Sequence, residues 1–319
     1  MTMATLETLG PIERALVLRA VPLLSGMPAG QLTALAQLAV ERGARAGEVL
    51  QAAGRGVRAM AVLLDGRVRL ERDGRHVGQL EAPDTLGLLE LLAEQPAPAT
   101  IVAATPVALL AIDAAIWWDV LEEDLSLLVQ LRHTLGRALA AADAAQGAYD
   151  LAAPPASGAG DPAAAAPPSD LVDRLNCLHH VPMLRPFGVA VLAELLRDED
   201  ERRLAAGEAL LRAGEAAREL VIIADGAVDC RAPGAAPTRV GAGAVLGANA
   251  ALCGLPHAYD AVVAAPGSAI AIDAARLWDV AEDHFHVARA LLAQAALQAL
   301  TRAAPVAAGA TALPEGSTP

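Results

Sequence analysis

Lysine is missing altogether: all 24 basic residues are Arg, a compositional bias that carries no mechanism by itself. Aromatic residues are nearly as scarce, at 2% of a chain that is 55% hydrophobic. Any core must therefore be built from Leu, Val, Ile and Ala. Positive charge is short throughout. The formal net charge is −13, with 12 Arg against 18 Asp and Glu in residues 1–150 and 12 against 19 in residues 151–319. Nucleic-acid binding draws on a basic surface that displaces counterions from phosphates, and neither half offers one. The one local cluster, Arg67, Arg69, Arg72 and Arg75, reads as the solvated face of a hairpin.

Cysteine is limited to Cys177, Cys230 and Cys253, with no short metal-like spacing. An odd number of cysteines reads as free thiols in a reducing compartment. Long apolar runs are also absent. The N-terminal stretch MTMATLETLGPIERALVLRAV has acids where a signal peptide is basic, and its apolar run is too short to span a bilayer. The expectation is a cytoplasmic protein with no membrane or nucleic-acid partner.

What the sequence does have is a repeat. Val21-Pro22 and Leu24 recur as Val181-Pro182 and Leu184, and Ala46-Gly47-Glu48 as Ala206-Gly207-Glu208. Asp65-Gly66 returns as Asp225-Gly226, Leu86-Gly87 as Leu246-Gly247, and Pro96 as Pro256. The run Ala111–Ala115 returns as residues 271–275, and Trp118-Asp119-Val120 as Trp278-Asp279-Val280. The offset is 160 at every landmark. Alanine bias produces isolated matches, but not one register held across Gly, Pro, Asp and Trp. The chain reads as module 1 (1–150), a Pro/Ala/Gly linker (151–169), module 2 (170–303) and a disordered tail (304–319). The linker and tail have no apolar period.

Within one copy, Leu32–Leu38 has helical apolar spacing. Short strands follow at Glu48–Gln51, Ala59–Leu64, Arg67–Glu71, Arg75–Leu80, Ala99–Ala103 and Val107–Ile112. Asp65-Gly66 and Asp73-Gly74 are two-residue hairpin signals, since type I′ turns demand residues tolerant of positive φ. Ile116–Val120 opens helical structure that Leu125–Leu139 continues. The fold class expected is mainly β with α: two double-stranded β-helix (jelly-roll) modules, each flanked by N- and C-terminal helices.

This order resembles the cyclic nucleotide-binding domain of the catabolite-activator and kinase-regulatory-subunit superfamily. Its carriers are PLLSGMPAGQLTALA, AGEVL, LLDGRVRL, the Leu86-Gly87 pair and VALLAID in the first copy. In the second they are PMLRPFGVAVLAELL, AGEALLRAG, IIADGAVDC, VLGANAAL and AIAID. The resemblance implies a ligand cassette similar to F-G-E-x-A-L…R-S/T-A. In it, backbone N–H groups and an Arg fork hold a cyclic phosphate, and the Glu accepts from a ribose hydroxyl.

Carried over by position, the first copy has Gly87, then Leu88 for the Glu and Ala97-Pro98 for the Arg and its neighbour, followed by Thr100. The second has Gly247, then Ala248 for the Glu and His257-Ala258 for the Arg pair. Losing the guanidinium removes a charge-assisted contact of roughly 1.5–3 kcal/mol. Glu90 lies two residues beyond position 88, about 200° around a helical turn, and reads as solvent-facing. No bound cofactor is expected. The alternative is a cyclic nucleotide held in module 2 by Gly247, Asn249 and a protonated His257.

Rival classes find less support. A cupin-like metal site needs His residues alternating along a strand, whereas His284–His286 and His179-His180 read as helical. The residues after Arg302 are Pro- and Gly-rich and hold no basic residue for a helix-turn-helix. The expectation is a non-enzymatic regulatory or scaffold protein with a protein partner. Its roll helices Leu125–Leu139 and Val287–Leu300 would serve intramolecular module pairing or a homodimer.

Overall fold

The structure is a computed structural model that describes residues 9–21, 24–25, 27–123, 125–146, 151–152, 170–197, 201–233 and 236–303. The rest of the linker and the tail from 304 onward lie outside these residues. The chain forms two compact units, Met1–Thr134 with Ala296–Pro319, and Leu135–Ala295.

In the first unit, α1 (Pro11–Ala20) and α2 (Ala29–Leu38) lead into the roll. Proline at the first helical position and Glu13, whose carboxylate takes the Gly10 N–H at 2.6 Å, start α1. The roll is β1 (Val40–Ala44), β2 (Val49–Gln51), β3 (Ala59–Asp65), β4 (Arg67–Arg72), β5 (Arg75–Glu81) and β6 (Asp84–Leu86). After α3 (Leu88–Leu92) come β7 (Thr100–Ala103) and β8 (Val107–Asp113), then α4 (Ala114–Glu123) and α5 (Leu125–Gln146), which counts with the second unit from Leu135 onward. The strands form two antiparallel sheets, ordered β1-β8-β3-β6 and β2-β7-β4-β5. Alternation decides which side chains meet between them: Val68 and Leu70 on β4 are buried, while Arg67 and Arg69 face outward. Leu63, Val68, Leu86, Ala103, Val107 and Leu109 lie in the resulting core.

The two turn signals have different outcomes. Asp73 (φ 51°) and Gly74 (φ 72°) both take positive φ and join the paired strands β4 and β5 as a hairpin. Asp65-Gly66 does not make a hairpin. β3 and β4 belong to different sheets, and Gly66 (φ 89°) carries the chain around the corner between them. A Cβ on Gly66 would stand 2.3 Å from the Pro106 carbonyl oxygen, so only glycine fits this crossing. The arginines of the hairpin are not a free basic stripe. Arg69 pairs with Glu71, Arg67 lies 3.9 Å from Glu81, and Arg72 Nε donates to the Pro98 carbonyl.

The second unit repeats the plan with fewer breaks. It holds β9 (Leu151–Ala152), α6 (Leu171–His180), a 3-10 turn at Pro182–Leu184, α7 (Val189–Leu195), β10 (Glu201–Leu204) and β11 (Ala209–Leu211). Then come β12 (Glu219–Arg231), β13 (Thr238–Gly241), β14 (Val245–Leu246), α8 (Ala248–Cys253), β15 (Asp260–Asp273), α9 (Ala274–Asp283) and α10 (Phe285–Ala303), which counts with the first unit from Ala296 onward. β12 spans what β3 and β4 cover in the first copy, and β15 spans β7 and β8. The corners survive as register shifts at Ile223/Asp225, Asp225/Ala227 and Ala227/Val228 rather than as breaks. The strand order is β10-β15-β12-β14-β9, with β11 on β15 and β13 on β12. His179 and His180 close α6 as expected. His284 is not helical: it caps α9 at φ −133°, ψ 82°, because the helix breaks before Phe285.

Candidate cyclic-nucleotide cassettes

Each roll presents one short helix, α3 in the first copy and α8 in the second, at the place where the resemblance implies a ligand cassette. In the first copy β6 runs into Gly87 (φ 77°), the N-cap of α3. A Cβ there would meet Val57 Cγ1 at 2.9 Å and the Ala59 carbonyl oxygen at 3.1 Å, so the loop passes too close to β3 for a side chain. Leu91 N–H bonds the Gly87 carbonyl at 3.0 Å and closes the first turn. Leu88, Leu91 and Leu92 are all buried, so the position expected to carry the family's Glu faces the hydrophobic core.

Behind the helix, Ala97 N–H donates to the Arg55 carbonyl, and Gly54 N–H to the Ala97 carbonyl, both at 2.9 Å. Thr100 Oγ1 accepts from Ala53 N–H at 3.2 Å. Ala97 and Thr100 are thereby tied to the β2–β3 connection, and Thr100 uses its hydroxyl as a brace. Asp260 does the same in the second copy, taking Ala213 N–H at 2.9 Å. The chemistry differs while the position, 160 residues on, is kept.

Glu90 departs from the solvent-facing expectation. Its side chain is half-buried, and burial pushes its carboxyl above the usual range, offset in part by a hydrogen bond from its own backbone N–H. The helical angle places Glu90 away from Leu88, but the leucine-rich turn around it still excludes water.

In the second copy α8 is buried along its whole length, and its N-cap Gly247 takes φ 71°. Gly247 and His257 come together here. A Cβ on Gly247 would stand 2.9 Å from His257 Cε1 and 3.2 Å from its Nδ1, so the imidazole lies directly on the glycine. Backbone bonds hold His257 in place: its N–H donates to the Glu215 carbonyl and its carbonyl accepts from Gly214 N–H, both at 2.8 Å. His257 is 7% exposed and its Nδ1 is buried without a hydrogen-bond partner. Burial lowers its pKa from the ordinary value, against the opposing pull of Glu215 and Glu219. At neutral pH this imidazole is neutral, so the protonated His257 of the sensor reading is not the resting form. Asn249 lies in the first turn of α8 and is buried.

The residue that closes this cassette is Tyr259, 1% exposed. Its hydroxyl oxygen accepts the Gly247 N–H at 2.9 Å in a buried bond. An amide at the start of the cassette helix is thus satisfied by the protein's own side chain. The first copy has Ala99 at this position, and Tyr259 is one of two tyrosines in the chain. That contrast is the only sequence signal that could have marked it. Trp278 Nε1 donates to the Leu252 carbonyl at 3.2 Å and fixes the other end of α8. Neither loop, residues 86–100 or 246–260, contains an arginine.

Other chemistry finds little support among the described residues. No three His, Cys, Asp or Glu side chains gather to hold a metal, and no helix is long and apolar enough to cross a membrane. The His284 and His286 rings lie 5.8 Å apart at centroid, and His284 Nε2 stands 3.7 Å from Glu194.

Comparison with known proteins agrees with this architecture. Residues 41–124 and 201–284 each match the family model described as the cyclic nucleotide-binding domain, together more than half of the chain. No curated protein matches in sequence. Among solved structures, the chain is similar to the regulatory subunit of a cAMP-independent protein kinase A from Trypanosoma brucei. That pair is 17% identical over 93% of this chain and 90% of that one, with a TM-score of 0.34. It is also similar to the regulatory domain of Toxoplasma gondii PKA with cAMP: 15% identical, 86% and 94% covered, TM-score 0.34. A third is the N-terminal domain of a transcriptional regulator from Streptomyces coelicolor A3(2), 27% identical, 42% and 96% covered, TM-score 0.37. This chain belongs to the cyclic nucleotide-binding domain family and carries that domain twice.

Proposed function

We propose that the chain is a non-catalytic regulatory or scaffold protein whose two modules work through a protein partner and not through a bound cyclic nucleotide. The observation that supports this most is the second cassette, where Tyr259 takes the Gly247 amide and a buried neutral His257 covers the same glycine. A cyclic phosphate needs donors and positive charge at that point. Here one donor is used, and no guanidinium is supplied by the loop. The first cassette, with Leu88 and Ala97 buried at the two contact positions, adds a desolvated Glu90 carboxyl to a loop without positive charge.

A second reading rests on a different observation, the unpaired His257 Nδ1. A buried polar atom without a partner is costly, and a nucleotide hydroxyl or phosphate reaching it would relieve that cost. In this reading module 2 is a sensor. Calorimetric titration with cyclic mono- and dinucleotides separates the two. Micromolar binding abolished by His257→Ala overturns the scaffold reading. No heat with any of these ligands overturns the sensor.

A further inference from the structure

Glycine is the poorest residue for a helix interior after proline, yet Gly136 sits in the middle of α5 and is buried. Its surroundings give the reason. A Cβ on Gly136 would stand 3.1 Å from both the Cβ and the carbonyl oxygen of Cys253, and 3.5 Å from Leu255 Cδ2. Cys253 is the last residue of α8, and Gly254 (φ 68°) turns the chain away from it. The backbone of α5 therefore runs against the C-terminal end of the second cassette helix, closer than a side chain would comfortably allow. Leu135 and Leu139, on either side of the glycine, are each 1% exposed, and this part of the helix counts with the second unit.

The other fastenings of α8 come from the second module itself. Tyr259 takes the Gly247 N–H at the N-cap, and Trp278 Nε1 donates to the Leu252 carbonyl near the other end. α5 has a different origin. It follows the roll of the first module, and Leu127, Leu128 and Leu131 near its start are buried and count with the first unit. The chain beyond α5 meets the same cassette at its entry, where β9 lies antiparallel on β14 with Leu151 opposite Leu246, the residue before Gly247.

We propose that α5 is a strut that holds the second cassette shut, with Gly136 as its seat on Cys253, so that α8 opens only when α5 leaves it. A movement of Cys253 toward α5 meets backbone at once. A movement away leaves a gap that Gly136 has no side chain to fill, and close-packed interiors do not tolerate such gaps without loss. The first module thereby reaches the second cassette through one continuous helix. The strut stands whether or not the cassette takes a nucleotide.

The test is hydrogen exchange on the full chain. The Ala251, Gly254 and Leu255 amides carry the backbone bonds of the cassette helix. In Gly136→Leu they should exchange at least about tenfold faster, while β12 and β15 amides change by less than about twofold. Gly136→Ala should act in the same direction more weakly, and it carries the test if the leucine variant does not fold. Because alanine favours the helix, the α5 amides of that variant should not speed up, whereas a general loss of stability would speed them too. Cys253→Gly removes the Cβ that the new alanine would meet, so the effect of Gly136→Ala should be smaller in that background. Unchanged α8 exchange in both Gly136 variants overturns the proposal. So does equal acceleration of α8 and β12, which would make Gly136 part of the general packing of the unit, and so do strictly additive effects of Gly136→Ala and Cys253→Gly.

Discussion

Tyr259→Phe isolates one hydroxyl. Tyr259 is 1% exposed, so the phenyl group keeps the packing. What remains is the Gly247 N–H, buried and without its 2.9 Å acceptor. Leaving a buried donor unpaired costs about 1–3 kcal/mol, where the net worth of a typical intramolecular hydrogen bond is about 0.5–1.5 kcal/mol. The two-unit architecture makes a single whole-chain transition unsafe to read as two-state. The assay is therefore urea unfolding followed by hydrogen exchange of β12 and β15 amides, with β3 and β8 amides as the internal reference. The expected result is a lower midpoint for the second unit at unchanged denaturant slope, with the first unit unmoved. A loss below about 0.5 kcal/mol would mean that the Gly247 amide is not buried or finds another acceptor. That outcome would refute the picture of a cassette closed by its own tyrosine.

The other predictions concern the first unit. Gly66→Ala places a Cβ 2.3 Å from the Pro106 carbonyl at φ 89° and should destabilise by more than about 2 kcal/mol. Gly74→Ala, at φ 72° with nothing within 4 Å, should cost only the left-handed backbone penalty of about 1–2 kcal/mol; thermal unfolding of the two variants should rank them in that order. Glu90 has its folded pKa raised by burial from 4.5, so the folded state keeps a proton that the unfolded chain releases. Its contribution to stability is fully present below 4.5 and falls as pH rises through the folded pKa. Glu90→Gln should therefore stabilise the unit at neutral pH and lose that advantage below pH 4.5, as measured by urea midpoints across the range.

Much of this fold is written locally. The 160-residue register, the strand and helix positions and the Asp73-Gly74 hairpin all follow from short-range rules: side-chain alternation, helical spacing and residues that tolerate positive φ. Asp65-Gly66 carries the same local signal and became a corner between sheets, because the close approach of Pro106 comes from a segment 40 residues away. Likewise, the unbroken β12 and β15 depend on two bulged strands accommodating each other over their whole length, which neither strand encodes alone.

The cassettes divide the same way. The sequence by itself determined that a cyclic nucleotide-binding roll occurs twice and which side chains stand at the family's contact positions, Leu88 and Ala97 in one copy, Ala248 and His257 in the other. Only the tertiary structure decided what those loops contain: a glutamate that loses its water in a turn of leucines, an imidazole seated on a glycine, and a tyrosine hydroxyl on the helix's N-cap amide. Burial and hydrogen bonding are properties of neighbours brought in from other strands, and no residue type fixes them in advance.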